Sequence, residues 1–257
     1  MAVDVWNADF LTSSYWLWPV SQAGRDLQGL SQFPDHAILN TIYTRYAGQG
    51  APPLRFVEDT SKVPNQPKCR RSADERYDGL IVTRHEVPTR VGNWHDVLNA
   101  LCFATFPRAK WALHNRQYRA LRQVDPGSDQ RWPAARTREQ DALTIFDEGG
   151  IVVAVSRDNV AKHEADDIDC MHELVMRGDA RLVPFGHALL EHFVSQRGRP
   201  GGGARVVAVR SSLHSDSALL REIDHALEAT LGDDSQFRSP QDGSQRIYLS
   251  QQWQPLA

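Results

Sequence analysis

The segment NWHDVLNALCFATFPRAKWALHN, residues 93–115, constrains the fold more than any other part of the chain. Its apolar residues recur at spacings of three and four, Asn93 is a typical N-cap and Pro107 is typical of a first helical turn, so the segment predicts helices over 94–105 and 107–123. Polar side chains interrupt this core pattern at His95, Asp96, Asn99, Lys110, His114 and Asn115. Because buried polar groups need partners, the segment predicts a polar pocket.

The rest of the chain predicts one α+β domain with a small, mostly antiparallel sheet rather than a doubly wound parallel sheet. We expect strands over 54–57 and 80–83 and a β-hairpin over 141–155, with its turn at Glu148-Gly149-Gly150. Further helices are expected near 36–47, 159–177, 187–196 and 216–231.

The domain organisation follows from composition along the chain. Residues 1–34 are rich in tryptophan and other aromatics, and we expect them to form an irregular arm packed on the body of the protein. The main domain is predicted over 1–196, followed by a flexible RGRPGGG linker over 197–203. Residues 204–257 are expected to form a C-terminal extension packed on the same domain, because so short a piece has little core of its own.

Whole-chain composition excludes several classes of protein. The 257 residues are 41% hydrophobic with a net charge of -3, which excludes a disordered or strongly basic chain. The three cysteines form no CxxC pair, so a disulfide framework or zinc ribbon is excluded and a reducing cytoplasm is expected. There is no apolar run long enough for a membrane span, so no membrane association is predicted. The sequence carries no signal for the oligomeric state.

The first predicted helix of the polar segment offers candidate chemistry. On a helix His95, Asn99 and Cys102 share one face, and His95 and Asp96 lie in the first turn. A histidine and a carboxylate there can bind a metal or act as a general acid/base pair. Alternatively Asp96 completes a capping box and His95 is a hydrogen-bonded residue at the core edge. Cys102 lies mid-helix among apolar residues, which favours a buried inert thiol over a nucleophile.

Carboxylates and histidines recur later in the chain. On the predicted strand Asp141 and Asp147 point to one face, and Glu148 follows, which is a common arrangement for holding a divalent metal. The alternative is ordinary turn chemistry. In the next helix His187 and Glu191 lie on one face, where they can ligate a metal or orient an imidazole, or form a surface pair of little energetic value.

Residues 108–138 form a basic region, with eight basic and two acidic residues and a net charge of +6. Trp111, Tyr118 and Trp132 are interleaved with the arginines, as in surfaces that bind nucleic acid. The alternative is a solvated helix face on which arginine stems cover apolar surface.

Taken together, the motifs resemble a bacterial family of about this length that is classified only as a domain of unknown function. The motifs that carry the resemblance are WHDVLNAL from Trp94, FPRAK from Phe106, LHN from Leu113, DALTIFDEG from Asp141 and GHAL from Gly186. The resemblance covers most of residues 36–196. It implies no reaction, cofactor or partner, but it implies that these polar motifs belong to one scaffold.

The first functional prediction is a hydrolase with a metal or His–carboxylate site acting on a small anionic substrate, including a phosphate-bearing one. The predicted catalytic residues are His95, Asp96, Asp147 and His187. The predicted ligands of a divalent ion, zinc or manganese, are His95, Asp147, Glu148 and His187. Substrate binding is assigned to Arg90, Asn99, Lys110 and Asn115. The alternatives are a non-catalytic nucleic-acid or anion-binding protein that uses residues 108–138, and a protein whose polar motifs only stabilise the fold.

Overall fold

Most of the helices predicted from the apolar periodicity are present. The computed structural model describes residues 4–60, 72–125, 135–157, 168–196, 198, 200–242, 245–250 and 253. The helices are α1 (Ser21–Gly24), α2 (His36–Tyr46), α3 (Tyr77–Arg84), α4 (Trp94–Thr105), α5 (Pro107–Val124), α6 (Arg138–Gly149), α7 (Ile168–Arg177), α8 (His187–Ser195) and α9 (Asp216–Gly232). The helix expected over 159–177 is confirmed from residue 168, and its first part lies outside the described residues.

The strands of the described residues form two small sheets. They are β1 (Arg55–Glu58), β2 (Glu86–Thr89), β3 (Ile151–Ser156), β4 (Ala180–Pro184), β5 (Gly201–Val209) and β6 (Gln245–Tyr248). β1 and β2 pair in parallel. The larger sheet has the order β4-β3-β5-β6, in which the β3–β5 pair is parallel and the two outer pairs are antiparallel. The predicted α+β class in a single domain is therefore confirmed, with a mixed four-stranded sheet.

The predicted hairpin over 141–155 is wrong, because its first half is helix α6. A capping box between Thr137 and Gln140 starts this helix, and Gly150 ends it. Leu143 and Phe146 are buried in the core from a helical face, three residues apart. Tertiary burial of that face decides between helix and strand, since a short apolar segment fits both periodicities.

Two smaller expectations also need correction. The strand expected over 80–83 lies inside α3, which ends at His85 in the left-handed conformation (φ 59°) before β2 begins. The flexible linker expected over 197–203 includes Gly201–Gly203, which belong to β5 and pair with β6. The short apolar run at 80–83 fits a helix as well as a strand, and the glycine-rich run at 201–203 is held in a strand by its pairing with β6.

The larger sheet lies between two hydrophobic clusters. Ile151, Val153 and Val155 face the first cluster, and Val152 and Ala154 face the second. Helices α2, α4, α7 and α8 contribute to the first cluster, and α5, α6 and α9 contribute to the second. β3 is thus buried on both faces, which explains its uninterrupted apolar sequence.

The N-terminal residues pack against the start of α4. The Trp6 ring stacks on Trp94 at 4.8 Å between centroids. The Asp4 carboxylate accepts a hydrogen bond from the Trp94 backbone N–H (3.0 Å), and Val5 O accepts one from the Trp94 indole (3.0 Å). The arm therefore fixes the first turn of α4, which carries His95.

Candidate functional site

The end of α6 and the start of α8 lie side by side at one end of the strands of the larger sheet. Both flank the paired strands β3 and β4, whose register places Ile151 opposite Pro184. Gly150 O accepts hydrogen bonds from the backbone N–H groups of Phe185 (2.9 Å) and Gly186 (3.0 Å). A Cβ on Gly186 would lie 2.4 Å from Glu148 O, so only glycine permits this approach. The junction brings the first residue of α8 next to the last turn of α6.

The first turn of α4 supplies a third group to the same place. Helix α4 packs on α8 in the first hydrophobic cluster, and His95 turns towards it. His95 Nδ1–H donates to Glu191 Oε2 across the two helices (3.0 Å). This hydrogen bond fixes the imidazole with its Nε2 atom pointing the other way, towards α6 and the start of α8.

Three ligand-type side chains converge at this point: His95, Glu148 and His187. His187 Nε2 is 3.0 Å from His95 Nε2. Glu148 Oε2 lies 3.5 Å from His187 Nε2 and 3.9 Å from His95 Nε2. Ligand atoms about 2.0–2.1 Å from a tetrahedral ion are ~3.3 Å apart, so the observed triangle has the dimensions of one face of a metal site.

The cluster runs from solvent into the interior. The side chain of Glu148 is 42% exposed and those of His95 and Glu191 are each 28% exposed, whereas His187 is 4% exposed. A ligand can therefore reach the triangle from the side of Glu148 and His95. The opposite side is closed by protein.

The two groups at the mouth have raised pKa values. Burial, the largest influence, would lower the pKa of His95, but the hydrogen bond to Glu191 and the charges of Glu148 and Glu191 outweigh it and raise that pKa. Burial raises the pKa of Glu148, the charge of His95 partly offsets this, and the negative charge of Asp147 adds to it. Both groups therefore favour their protonated forms more than in water, as expected where negative charge accumulates.

A buried ion pair lies beneath the triangle. Lys110 has no exposed side-chain surface, and its ammonium donates to Asp147 Oδ1. Burial would raise the pKa of Asp147, but the positive charge of Lys110 outweighs it and holds that pKa well below its usual range. The pKa of His187 is lowered well below its usual value, because burial and the charge of Lys110 disfavour the protonated ring. Among the predicted site residues, Lys110 thus pairs with Asp147 and has no surface to offer a substrate anion.

The polar network continues away from the triangle. Lys110 also donates to Asn99 Oδ1 (2.8 Å), and the Asn99 amide donates to the Tyr77 hydroxyl (2.9 Å). A second imidazole–carboxylate pair, His114 Nδ1 with Asp78 Oδ1 at 2.8 Å, lies against the Tyr77 ring. Asn99 therefore acts within the protein interior rather than at the mouth.

The remaining predicted residues lie outside the triangle. Asp96 is held by Arg90, which donates from its backbone N–H (2.6 Å), Nε (2.9 Å) and Nη2 (2.7 Å). Asn115 is half-buried on α5, and the described residues give its side chain no hydrogen bond to the cluster. Cys102 is buried, and burial raises its pKa to about 12, which disfavours the thiolate that a nucleophile needs.

The basic region is largely neutralised by acids from elsewhere in the chain. Arg116 is buried and binds Glu139 (2.6 Å) and backbone carbonyls beyond α9. Trp111 is half-buried against the core, and Trp132 lies outside the described residues. Further ion pairs join Arg108 to Glu228, Arg119 to Asp234 and Arg122 to Asp74. These pairs give nucleic-acid binding no specific support, and it stays a prediction.

Two members of the cluster were not among the predicted site residues. Glu191 was considered only as a partner of His187 on the same helix, and it binds His95 on another helix. Its spacing from His187 suggested an orienting carboxylate as one alternative, but for His187 and not for His95. Tyr77 was not singled out in the sequence, and nothing in its sequence context indicates the hydrogen bond with Asn99.

Comparison with known proteins gives a family without a described activity. Residues 54–244 match the family described as "Protein of unknown function (DUF3025)", and the chain belongs to this family. No curated protein and no solved structure matches the chain. Within the described residues, no helix is both long and apolar enough to cross a membrane.

Proposed function

We propose that the protein binds a divalent transition-metal ion between His95, Glu148 and His187 and uses it to hydrolyse a small anionic substrate. The convergence of three ligand atoms at separations of 3.0, 3.5 and 3.9 Å carries the proposal. Two histidines and one carboxylate form the ligand set of open zinc sites, which leave a fourth position for water or substrate.

The contact between the two imidazoles supports a cation at this position. The Nε2 atoms of His95 and His187 face each other at 3.0 Å, and two nitrogen lone pairs at that distance repel unless a cation or a proton lies between them. A shared proton would form a hydrogen bond between the two nitrogens only. A metal ion can also bind Glu148, whose carboxylate completes the triangle.

Charge balance supports the same conclusion. Among the described residues, the cluster contains three carboxylates, Asp147, Glu148 and Glu191, and the ammonium of Lys110. With neutral imidazoles the net charge is close to two negative units, which is costly in a partly buried site. A divalent ion would neutralise it.

Hydrolysis is the reaction class that this ligand set favours. A zinc ion with three protein ligands acts as a Lewis acid and makes water a nucleophile near neutral pH. Glu191 at the mouth supplies a carboxylate outside the ligand set that can accept or return a proton. For an anionic substrate the ion itself supplies the attraction, together with Arg90, which also binds Asp96 and whose side chain is 43% exposed.

Metal analysis of the purified protein tests the proposal. We expect about one zinc or manganese ion per chain, removable by chelator and restored by titration, with a stabilisation of ~2.7 kcal/mol at a free metal concentration one hundred times Kd. His95→Ala and His187→Ala should each abolish tight binding. His225→Ala, which removes an exposed histidine on α9, is the matched control and should bind like the wild type.

The identity of the metal and the activity decide the reaction class. Phosphoester, carboxylic ester and amide substrates should be screened with the metal-loaded protein, and Glu148→Gln should lose any activity found. A protein that binds no divalent ion at millimolar concentration would overturn the metal proposal. Iron in place of zinc would contradict the hydrolase assignment, because the same ligand set also serves iron oxygenases.

A further inference from the structure

The two histidines of the triangle differ in how the protein supports them. Glu191 already binds His95 Nδ1 at 3.0 Å. His187 Nδ1 is buried and has no hydrogen-bond partner among the residues that the structure describes, although Asp147 Oδ2 is only 3.8 Å away. A buried ring nitrogen facing a carboxylate just beyond hydrogen-bond distance is unusual and calls for an explanation.

From this geometry we infer that Asp147 is the positioning residue for His187, and that Lys110 holds Asp147 in place for that role. The inference rests on the proposed metal site and deepens it. When His187 Nε2 ligates a metal, the neutral ring must carry its proton on Nδ1. That N–H then points at Asp147 Oδ2, and a movement of less than about 1 Å gives an ordinary hydrogen bond.

Lys110 is suited to fix the carboxylate. Its ammonium donates to Asp147 Oδ1 and to Asn99 Oδ1, and it lies over the Phe103 ring at 4.7 Å. With all three directions occupied, the ammonium has one orientation. Asp147 Oδ1 is thereby engaged and Oδ2 is left for His187, so the pair selects the tautomer that a metal needs.

The amide variant Asp147→Asn tests this directly, because an amide has only one acceptor oxygen. Lys110 will hold that oxygen, which turns the amide NH2 group towards His187 Nδ1. The ring then favours the tautomer with its proton on Nε2, and this proton blocks the metal. We expect Asp147→Asn to weaken Co²⁺ binding by about 10- to 100-fold and to shift the visible absorption bands of bound Co²⁺.

Two further variants separate positioning from a merely structural role. Asp141 does not lie beside Asp147 on a strand but is exposed in the first turn of α6, at the other end from Glu148, so Asp141→Asn makes the same chemical change away from the site and should bind Co²⁺ like the wild type. The double variant Lys110→Met/Asp147→Asn frees the amide oxygen to accept from His187, so its affinity should lie above that of Asp147→Asn and below that of the wild type. If the single variant does not fold, a double variant that binds Co²⁺ more weakly than the wild type supports the inference, and equal affinity contradicts it.

Each outcome bears on the inference. The inference is supported if the wild type binds Co²⁺, Asp147→Asn binds it more weakly, and the double variant recovers part of the affinity. Equal Co²⁺ affinity in the wild type and the folded Asp147 variants overturns it and leaves the proposed metal site intact. A wild type that does not bind Co²⁺, zinc or manganese overturns both.

Discussion

Gly186→Ala is the substitution whose effect on the site can be worked out most directly from the structure. An alanine Cβ at this position would lie 2.4 Å from Glu148 O and 2.5 Å from the Gly149 nitrogen. Ordinary contact needs ~3.5 Å, so the start of α8 must move away from the end of α6 by about 1 Å. Such overpacking costs roughly 1–3 kcal/mol of stability.

The same movement affects the metal ligands. His187 Nε2 and Glu148 Oε2 are 3.5 Å apart, and a shift of about 1 Å between their backbones can increase this to ~4.5 Å. Two ligands at 2.0–2.1 Å from one ion can be at most ~4.2 Å apart, even on opposite sides of it. We therefore expect Gly186→Ala to lose one ligand and to bind zinc at least about tenfold more weakly.

Zinc affinity by calorimetry and unfolding by urea should be measured on the same samples. Gly149→Ala is the matched control, because a Cβ at Gly149 meets nothing within 4 Å although the residue borders the same junction. The control should keep wild-type zinc affinity. A Gly186→Ala protein that loses stability but binds zinc like the wild type would refute the claim that this close approach sets the spacing of the ligands.

Two predictions concern stability alone. Lys110→Met should lower the free energy of unfolding, measured with urea, by about 3–5 kcal/mol, because it leaves Asp147 as an unpaired buried charge. The double variant Lys110→Met/Asp147→Asn should recover part of this loss in the same assay. A single variant as stable as the double variant would contradict this prediction. Burial raises the pKa of Asp224 to about 7, against the opposing hydrogen bonds from the backbone of Ala109 and Arg108. Between about pH 4 and 7 the folded protein therefore keeps a proton on Asp224 that the unfolded chain has released. The free energy of unfolding of the wild type, compared with that of Asp224→Asn, should fall by up to ~1.4 kcal/mol per pH unit across this range and stay level above it. Stability curves of the two proteins that run parallel with pH would exclude this shift.

The sequence predicted the helices around the site well, because their signals are local. Asn93 caps α4 and Pro107 opens α5, and both boundaries follow from backbone geometry at single residues. The His95 and His187 positions were identified because each stands at the start of a predicted helix within a polar motif. Local rules were sufficient for these elements.

The 141–155 segment shows why the prediction failed elsewhere. Its apolar residues fit a strand as well as a helix, and burial of Leu143 and Phe146 against the second cluster decides for a helix. Glu148 still reached the predicted place, because the glycines at 149 and 150 end the element whether it is a helix or a strand. The glycines predict locally where the element ends, whereas tertiary packing decides whether that element is a helix or a strand.

The pairing of Lys110 with Asp147 could not be predicted, because it depends on how α5 packs against α6. The residue types alone suggested that Lys110 binds a substrate anion and that Asp147 binds a metal. The structure puts both in a layer beneath the triangle, where neither is exposed enough to meet a substrate. A charged residue in an apolar helix thus correctly predicts that a polar cluster is present. It does not predict whether that residue lies at the surface or is buried.

The three proposed ligands come from the ends of three different helices, so the site forms only when these helices pack together. His95 stands in the first turn of α4, Glu148 in the last turn of α6 and His187 at the start of α8, so no pair of them is close in the unfolded chain. An ion that binds all three binds only the folded state, and its binding energy adds to the stability of the junction between these helices. In the metal-free protein the accumulated carboxylates oppose the same junction. The end of the sheet that holds the site is therefore the part of the fold whose stability we expect to depend most on the ion.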